Sequence, residues 1–354
     1  MKILNRYLGA AVAGSTLVVM LVLLALFFFL DFVDEFGDIG KGNYGVPQAL
    51  QYILFSQPRR IYELFPLAAL LGSLIGLGWL AGNSELVVMR AAGVSVAQIT
   101  LAVMRVGLGL VLVVVFLGEV IAPPAELYAQ SNRSIALSDR IALKTNYGFW
   151  TRDGLSFINI RTILPGERLG DIYIYEFDAQ HQLRVATYAQ KAYFEDDRWI
   201  LQNITQSDID PGGVHTRHIG RAAWESLLSP DLINVVAIKP EKLSTWELRK
   251  YINYLHDNGQ SAQRYELAFW IKLTTPLVTA VMIFLAIPFV FGPLRSAAMG
   301  QRIVVGSLVG IGFHLFNQTF NQMGLIYNLS PLLSVLTPLT VFFITALVLT
   351  WRIR

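Results

Sequence analysis

Few side chains in this 354-residue sequence have the types and spacing that chemistry requires, and those few suit recognition rather than catalysis. No G-x-x-x-x-G-K-[ST] phosphate cradle occurs, so the chain is not expected to hydrolyse ATP by itself. H-E-x-x-H and G-x-S-x-G are also missing, the five histidines are scattered, and the lack of cysteine removes disulfides and thiolate chemistry. No catalytic residue, metal site or cofactor is therefore assigned to this chain. Two patterns remain. Asn83–Gly93 reads as a short amphipathic helix with a polar cap at Asn83 or Ser84, with Leu86, Met89 and Arg90 exposed to one side and Gly93 as its stop. Such a helix suits a groove on another protein, and equally a position on the bilayer surface. His314, Asn317, Gln318 and Asn321 recur at i, i+3, i+4 and i+7, one polar stripe flanked by Phe313, Phe316 and Phe320. Polar groups in an apolar helix face protein or a wet cavity, and hydrogen bonding between helices has an equal claim on them.

The elements that must position these residues are membrane spans. Hydrophobic residues make up 54% of the chain and charged ones 15%, too apolar for a soluble domain of this size. Six segments have the length to cross a bilayer as helices: Leu8–Leu30, Ile61–Ala81, Ala97–Ala122, Leu267–Phe291, Ile303–Asn321 and Pro331–Trp351. Gly72 and Gly76 in the second have G-x-x-x-G spacing, which permits close helix packing. Lys2, Arg6, Arg90, Arg295, Arg302, Arg352 and Arg354 fall on one side, so both termini are expected in the cytoplasm. Arg59 and Arg60 lie on the opposite side, against that rule. The first apolar run is longer than a signal-peptide core and reads as a retained helix. The formal charge of +3 follows the topology and gives no nucleic-acid signal.

Between the third and fourth spans lies a polar insert of about 140 residues with a period of two. Strands are expected over Tyr147–Arg152, Leu155–Ile163, Asp171–Phe177, Leu183–Glu195 and Arg198–Ile204, separated by turns at Asp153-Gly154, Pro165-Gly166 and Asp196-Asp197, with a break at Pro211-Gly212-Gly213. Several strands are apolar on both faces, which fits an inner surface open to a ligand or a plain two-sheet core. Ser244 and Glu247 have capping-box spacing, and Leu248, Tyr251, Ile252 and Leu255 follow at helical intervals up to Asn258-Gly259. That helix suits a packed connector or an element that transmits motion. The expected organisation is residues 1–122 with three spans, 123–262 with the strand-rich domain and connecting helix, and 263–354 with three spans.

Ser84–Gly93, Phe291-Gly292-Pro293-Leu294-Arg295-Ser296 and Gly118-Glu119-Val120-Ile121-Ala122-Pro123 together resemble the LptF/LptG permeases of the bacterial lipopolysaccharide exporter. The Phe-Gly-Pro-Leu-Arg run sides with the LptG branch. The resemblance runs over nearly the whole chain and implies an ABC-transporter permease with six transmembrane helices and an inserted periplasmic β-jellyroll. It further implies an inner-membrane complex with LptF, two copies of the ATPase LptB carrying ATP and Mg, and LptC. Ser84–Gly93 becomes the coupling helix, in which Glu85 contacts the ATPase with Leu86, Met89 and Arg90 in support; a favourable charge on the helix dipole is the plainer role for Glu85. If the cargo has about six acyl chains, roughly 60–70 methylenes at about 0.8 kcal/mol each put exposure to water near 50 kcal/mol, so an apolar path must begin where the membrane ends.

The resemblance also implies cations for lipid phosphates. Arg133 comes first, matching a basic position of the family, with Arg59, Arg60 and Lys41 at the same level; interfacial anchoring or pairing with Asp34, Glu35 or Asp139 is the alternative. Asp31 and Gly37–Ile39 stand where the family carries basic residues, leaving room for a divalent cation bridging acid to phosphate. Phe313, Phe316, Asn317 and Phe320 are expected to line the lipid cavity or face LptF. A mechanotransmission permease, which would have four spans, and a structural scaffold are the competing assignments.

Overall fold

The computed structural model describes residues 2–137, 143–164, 168–196, 198–224, 239–292 and 297–352. The chain divides into two compact units, one of residues 1–37, 53–128 and 266–354, the other of residues 38–52 and 129–265.

The first unit is helical. Its elements are α1 (Lys2–Glu35), all but the first turns of α2 (Val46–Gly82), α3 (Glu85–Ala91) and α4 (Val96–Phe116), then a π-helical turn at Leu117–Ile121 and the start of α5 (Ala122–Leu137), whose end belongs to the second unit. After the strands come α7 (Gln263–Phe291), α8 (Met299–Ile326) and α9 (Pro331–Trp351). Six helical stretches among the described residues are long and apolar enough to cross a membrane, and they contain all six expected segments. Most are longer than expected; α2 starts at Val46 because Pro58 and Pro66 are accommodated inside it. The core joins Leu8 and Val12 of α1, Leu70, Leu74 and Leu77 of α2, Ile99 and Val103 of α4 and Ile283 and Ile287 of α7. Its outer face carries Leu17, Leu21, Leu108, Leu112, Leu308 and Leu333, all exposed, as lipid contact requires.

Glycine sets the closest approaches. A Cβ on Gly72 would run into the Thr16 backbone, and one on Gly76 would stand 2.8 Å from the Ala11 carbonyl, so the expected G-x-x-x-G pair does seat α1 on α2. Gly306 and Gly310 of α8 similarly face Leu71, Leu74 and Leu67 of α2.

The second unit is a six-stranded antiparallel sheet in consecutive order: β1 (Leu143–Asp153), β2 (Ser156–Leu164), β3 (Arg168–Phe177), β4 (Leu183–Glu195), β5 (Arg198–Asp210) and β6 (Gly213–Trp224). The turns at Gly154 and Gly213 have φ of +60° and +137°, conformations that favour glycine. Of the other expected turns, Pro165-Gly166 and Asp197 lie outside the described residues.

The strands are longer than the alternation predicts, and their faces switch midway. In β3 Ile172 and Ile174 are buried on one side of Asp171 and Leu169 on the other; in β5 Ile204 is buried on one side of Asn203 and Leu201 and Trp199 on the other. Ala189 and Ala192 show the same change of phase in β4. Asp171 and Asn203 both have φ of +51°, and the register places them in one row with Gln190. A left-handed residue bends the strand and shifts its two-residue alternation by one. Asn203 Nδ2 donates to Gln190 Oε1 at 2.8 Å, and Tyr188 donates to Asp171 Oδ1 at 2.9 Å, which satisfies the polar groups along the bend. This change of phase accounts for part of the double-sided apolarity; in β5 Trp199, Ile200 and Leu201, and in β2 Ile158, Asn159 and Ile160, are buried in succession on both faces.

The connecting helix, α6 (Thr245–Asp257), has the expected capping box: Ser244 Oγ accepts from the Glu247 amide at 3.2 Å and Glu247 Oε2 from the Ser244 amide at 2.7 Å. Leu248, Tyr251, Ile252 and Leu255 are buried, and the Tyr254 hydroxyl meets Thr151 Oγ1 of β1 at 3.2 Å. Burial raises the Tyr254 pKa and, more strongly, that of Tyr251. The helix is packed as a connector would be.

Candidate functional site

The short helix α3 follows the turn after α2. Ser84 is its N-cap residue, but with φ of +61° and no side-chain cap bond, so the expected polar cap is absent. Glu85 instead accepts from the Tyr7 hydroxyl of α1 at 2.8 Å, which fixes the first turn. Leu86 is not on the exposed stripe: it is 3% exposed and belongs to the core, because a seven-residue helix needs an apolar anchor to stay on the bundle. Met89 is partly buried against the same core, Arg90 is exposed, and the outward apolar residues are Val87 and Val88. Gly93, at φ +90°, ends the element as expected. A cleft of about 340 Å³ runs beside it, lined by Ala81, Leu86, Val87, Arg90, Ala91, Val290 and Phe291. Pro293, Leu294, Arg295 and Ser296, the rest of the motif that starts at Phe291, lie outside the described residues.

The four cations assigned to phosphates fall into two groups, each already holding carboxylates. Arg133 reaches Asp38 at 2.5 Å and Lys41 reaches the same carboxylate at 2.6 Å. The Lys41 ammonium, with Arg133 beside it, keeps the Asp38 carboxyl below the ordinary aspartate range. The Arg133 guanidinium also lies over the rings of Tyr44 and Tyr52, at 5.8 and 5.3 Å. In the helical unit, Arg59 pairs with Glu63 at 2.7 Å and approaches Glu126 at 3.8 Å, while Arg60 pairs with Asp31 at 2.5 Å over the Phe27 ring. The acids Asp31 and Asp38, noted in sequence as replacing basic residues, are thus the partners of Arg60 and Arg133. Asp139, the third acid expected to pair with Arg133, lies outside the described residues.

Along α8 the polar stripe is graded. His314 and Gln318 are exposed and Asn317 half-buried, whereas Asn321 turns inward, with its Oδ1 buried and without a hydrogen bond. Phe313 is buried edge-on against Phe342 of α9 at 4.9 Å. Phe316 and Phe320 remain half-buried and pack on each other at 4.6 Å. Arg302, expected in a cytoplasmic loop, lies inside the first turn of α8, is buried, and donates to the Gly78 carbonyl of α2.

One charged cluster escaped the sequence assignment. Lys272 of α7, 9% exposed, bonds Glu119 of the π-helical turn at 3.0 Å and lies 5.8 Å from the Tyr62 ring centroid of α2. The Tyr62 hydroxyl donates to the Lys272 carbonyl at 3.0 Å. That carbonyl would ordinarily receive the amide four residues on, but the residue there is Pro276. A lysine inside an apolar span, four residues before a proline, was the available signal.

The geometry is that of a polytopic membrane protein with a short helix beside a cleft and pre-paired cations. The family model for the lipopolysaccharide export system permease LptF/LptG matches residues 6–352. The chain belongs to the LptF/LptG family. The permease is 37% identical over 353 residues to the lipopolysaccharide export system permease protein LptG of Escherichia coli strain K12, covering 99% of this chain and 98% of that protein. To the protein of the same name from Haemophilus influenzae it is 37% identical over 343 residues, with 96% of each covered.

Proposed function

We propose that this chain is the LptG-type half of an inner-membrane lipopolysaccharide exporter, with LptF as the other half, two LptB subunits supplying ATP hydrolysis and LptC alongside. The family membership and the near full-length similarity to LptG proteins support lipopolysaccharide export as its task. The observation that carries the coupling role is α3, anchored by Leu86 and by the Tyr7–Glu85 hydrogen bond and presenting Arg90, Val87 and Val88 outward beside a cleft. Glu85 and Arg90 then meet the ATPase directly, while Leu86 and Met89 transmit its movement to the core. The chain itself performs no catalysis; both termini are cytoplasmic and the strand-rich unit is periplasmic.

Transport follows as differential binding: one arrangement of the helices holds the lipid, the other does not. A lipid phosphate arriving at Arg133 must exchange with Asp38, so head-group capture trades one anion for another rather than filling an empty site. Phe316, Asn317 and Phe320 offer half-buried surface for acyl chains. Co-purification of wild-type and Glu85→Arg chains with LptF and LptB, followed by lipid-stimulated ATP hydrolysis, tests the proposal. Assembly and activity in the wild type with a loss of at least about tenfold for Glu85→Arg is the expected result; a chain that recruits no ATPase is a scaffold.

A further inference from the structure

Three helices each carry a backbone irregularity, and the irregularities meet at one point. In α7 Pro276 leaves the Lys272 carbonyl without its helical amide. In α2 Tyr62 stands four residues after Pro58 and four before Pro66, and its hydroxyl takes up that carbonyl at 3.0 Å. Between α4 and α5 the chain passes through the π-helical turn Leu117–Ile121. Gly118 of that turn lies flat against the Tyr62 ring, which a Cβ would strike. The Lys272 ammonium holds the turn twice, at the Glu119 carboxylate 3.0 Å away and at the Gly118 carbonyl 3.5 Å away.

A π-turn is an α-helix carrying one extra residue, and such turns often mark functional sites. Closing it to regular α-helix removes that residue from the bulge and turns the following helix by about 100°, one residue's share of a helical turn. Everything seated on the start of α5 would be reset, including Glu126 against Arg59 at 3.8 Å and Tyr128 against Phe55 at 4.8 Å. A buried lysine is costly unless paired, so the Glu119 carboxylate and the π-turn stabilise each other.

We propose that Lys272 and Glu119 are positioning residues that hold the π-turn as a swivel between α4 and α5, and that the permease changes state by releasing this pair. Only the purpose of the swivel rests on the transport function proposed above. The chain has no cysteine, so spin labels at Leu112→Cys of α4 and Leu127→Cys of α5, both exposed, report the swivel directly. Fifteen residues of helix place them about 22 Å apart, within the range of pulsed dipolar spectroscopy.

The full-length permease, purified with the subunits it carries and held in lipid nanodiscs, is expected to give one narrow distance distribution. Glu119→Gln, which keeps the side-chain shape, and Lys272→Met are each expected to add a second population, and the charge swap Glu119→Lys with Lys272→Glu to restore the single one. In the same samples, lipid delivered per ATP hydrolysed should fall at least about tenfold in the single variants, with ATP hydrolysis changing less than about twofold. A single-variant distribution identical to wild type, or a swap as broad as the single variants, overturns the swivel. An absence of lipid delivery by the wild type instead counts against the transport assignment and leaves the distance result standing.

Discussion

The helical unit and the strand-rich unit solve the same problem, a chain that must depart from regular geometry, in opposite ways. In the helical unit the carbonyl freed by Pro276 is met by Tyr62 from another helix, and the π-turn, on a third stretch of chain, is held by the Lys272 ammonium of the proline-bearing helix itself. In the sheet the left-handed residues Asp171 and Asn203 are satisfied by Tyr188 and Gln190 on the adjacent strand β4. The surroundings account for the difference. Lipid offers no hydrogen bonds, so each irregularity must recruit a distant side chain and thereby ties helices together. A sheet has neighbouring strands on hand, so its bend is a local matter. Irregularity in the first unit therefore links several helices, while in the second it is confined to shape.

The largest expected effect breaks the first half of this contrast. Gly118→Val drives a side chain into the Tyr62 ring, whereas Gly109→Val on the preceding helix α4 has nothing within 4 Å of the added Cβ. Overpacking of this kind costs about 1–3 kcal/mol, so Gly118→Val should unfold at visibly lower temperature in detergent while Gly109→Val tracks the wild type. Equal midpoints for the two would show that the knot is slack.

A smaller effect is expected in the sheet. Asn203→Val places a β-branched residue at φ of +51°, at a cost of about 1–2 kcal/mol. Hydrogen exchange should quicken in β4 and β5 and stay unchanged in α2, α4 and α7. Exchange rising across the helices as well would mean that the two units do not differ as argued.

The mildest probe is alkaline pH. Burial, and then the Asp171 carboxylate, push the Tyr188 hydroxyl up to about 12. The folded state then holds this proton more tightly than the unfolded one, where tyrosine titrates near 10, so the stabilisation is complete below about pH 10 and is lost as pH rises toward 12. Tyr188→Phe should flatten that part of the stability profile, read by exchange of β3 and β4.

Much of this was legible in sequence because hydropathy and capping are local. Twenty-residue apolar runs leave few alternatives to helices, and Ser244 with Glu247 fixes a helix start whatever packs on it. The short helix α3 was visible too, but which of its faces points outward was not: Leu86 matched an exposed stripe by spacing, and only the presence of a core beside it buries the residue. The cover over Phe313 was hidden for the same reason, since Phe342 comes from a helix the spacing does not see. Arg133 and Lys41 could be named as cations, yet their shared hold on Asp38 depends on how 38–52 folds onto 129–137.

The sequence by itself determined the spans, the insert, the missing catalytic motifs and the family, because each is written in composition, periodicity or contiguous motif. Tertiary structure alone decided which polar groups meet. Lys272, Glu119 and Tyr62 lie on three helices far apart in sequence, and their relation comes from a proline-freed carbonyl and a π-turn that exist only once those helices pack.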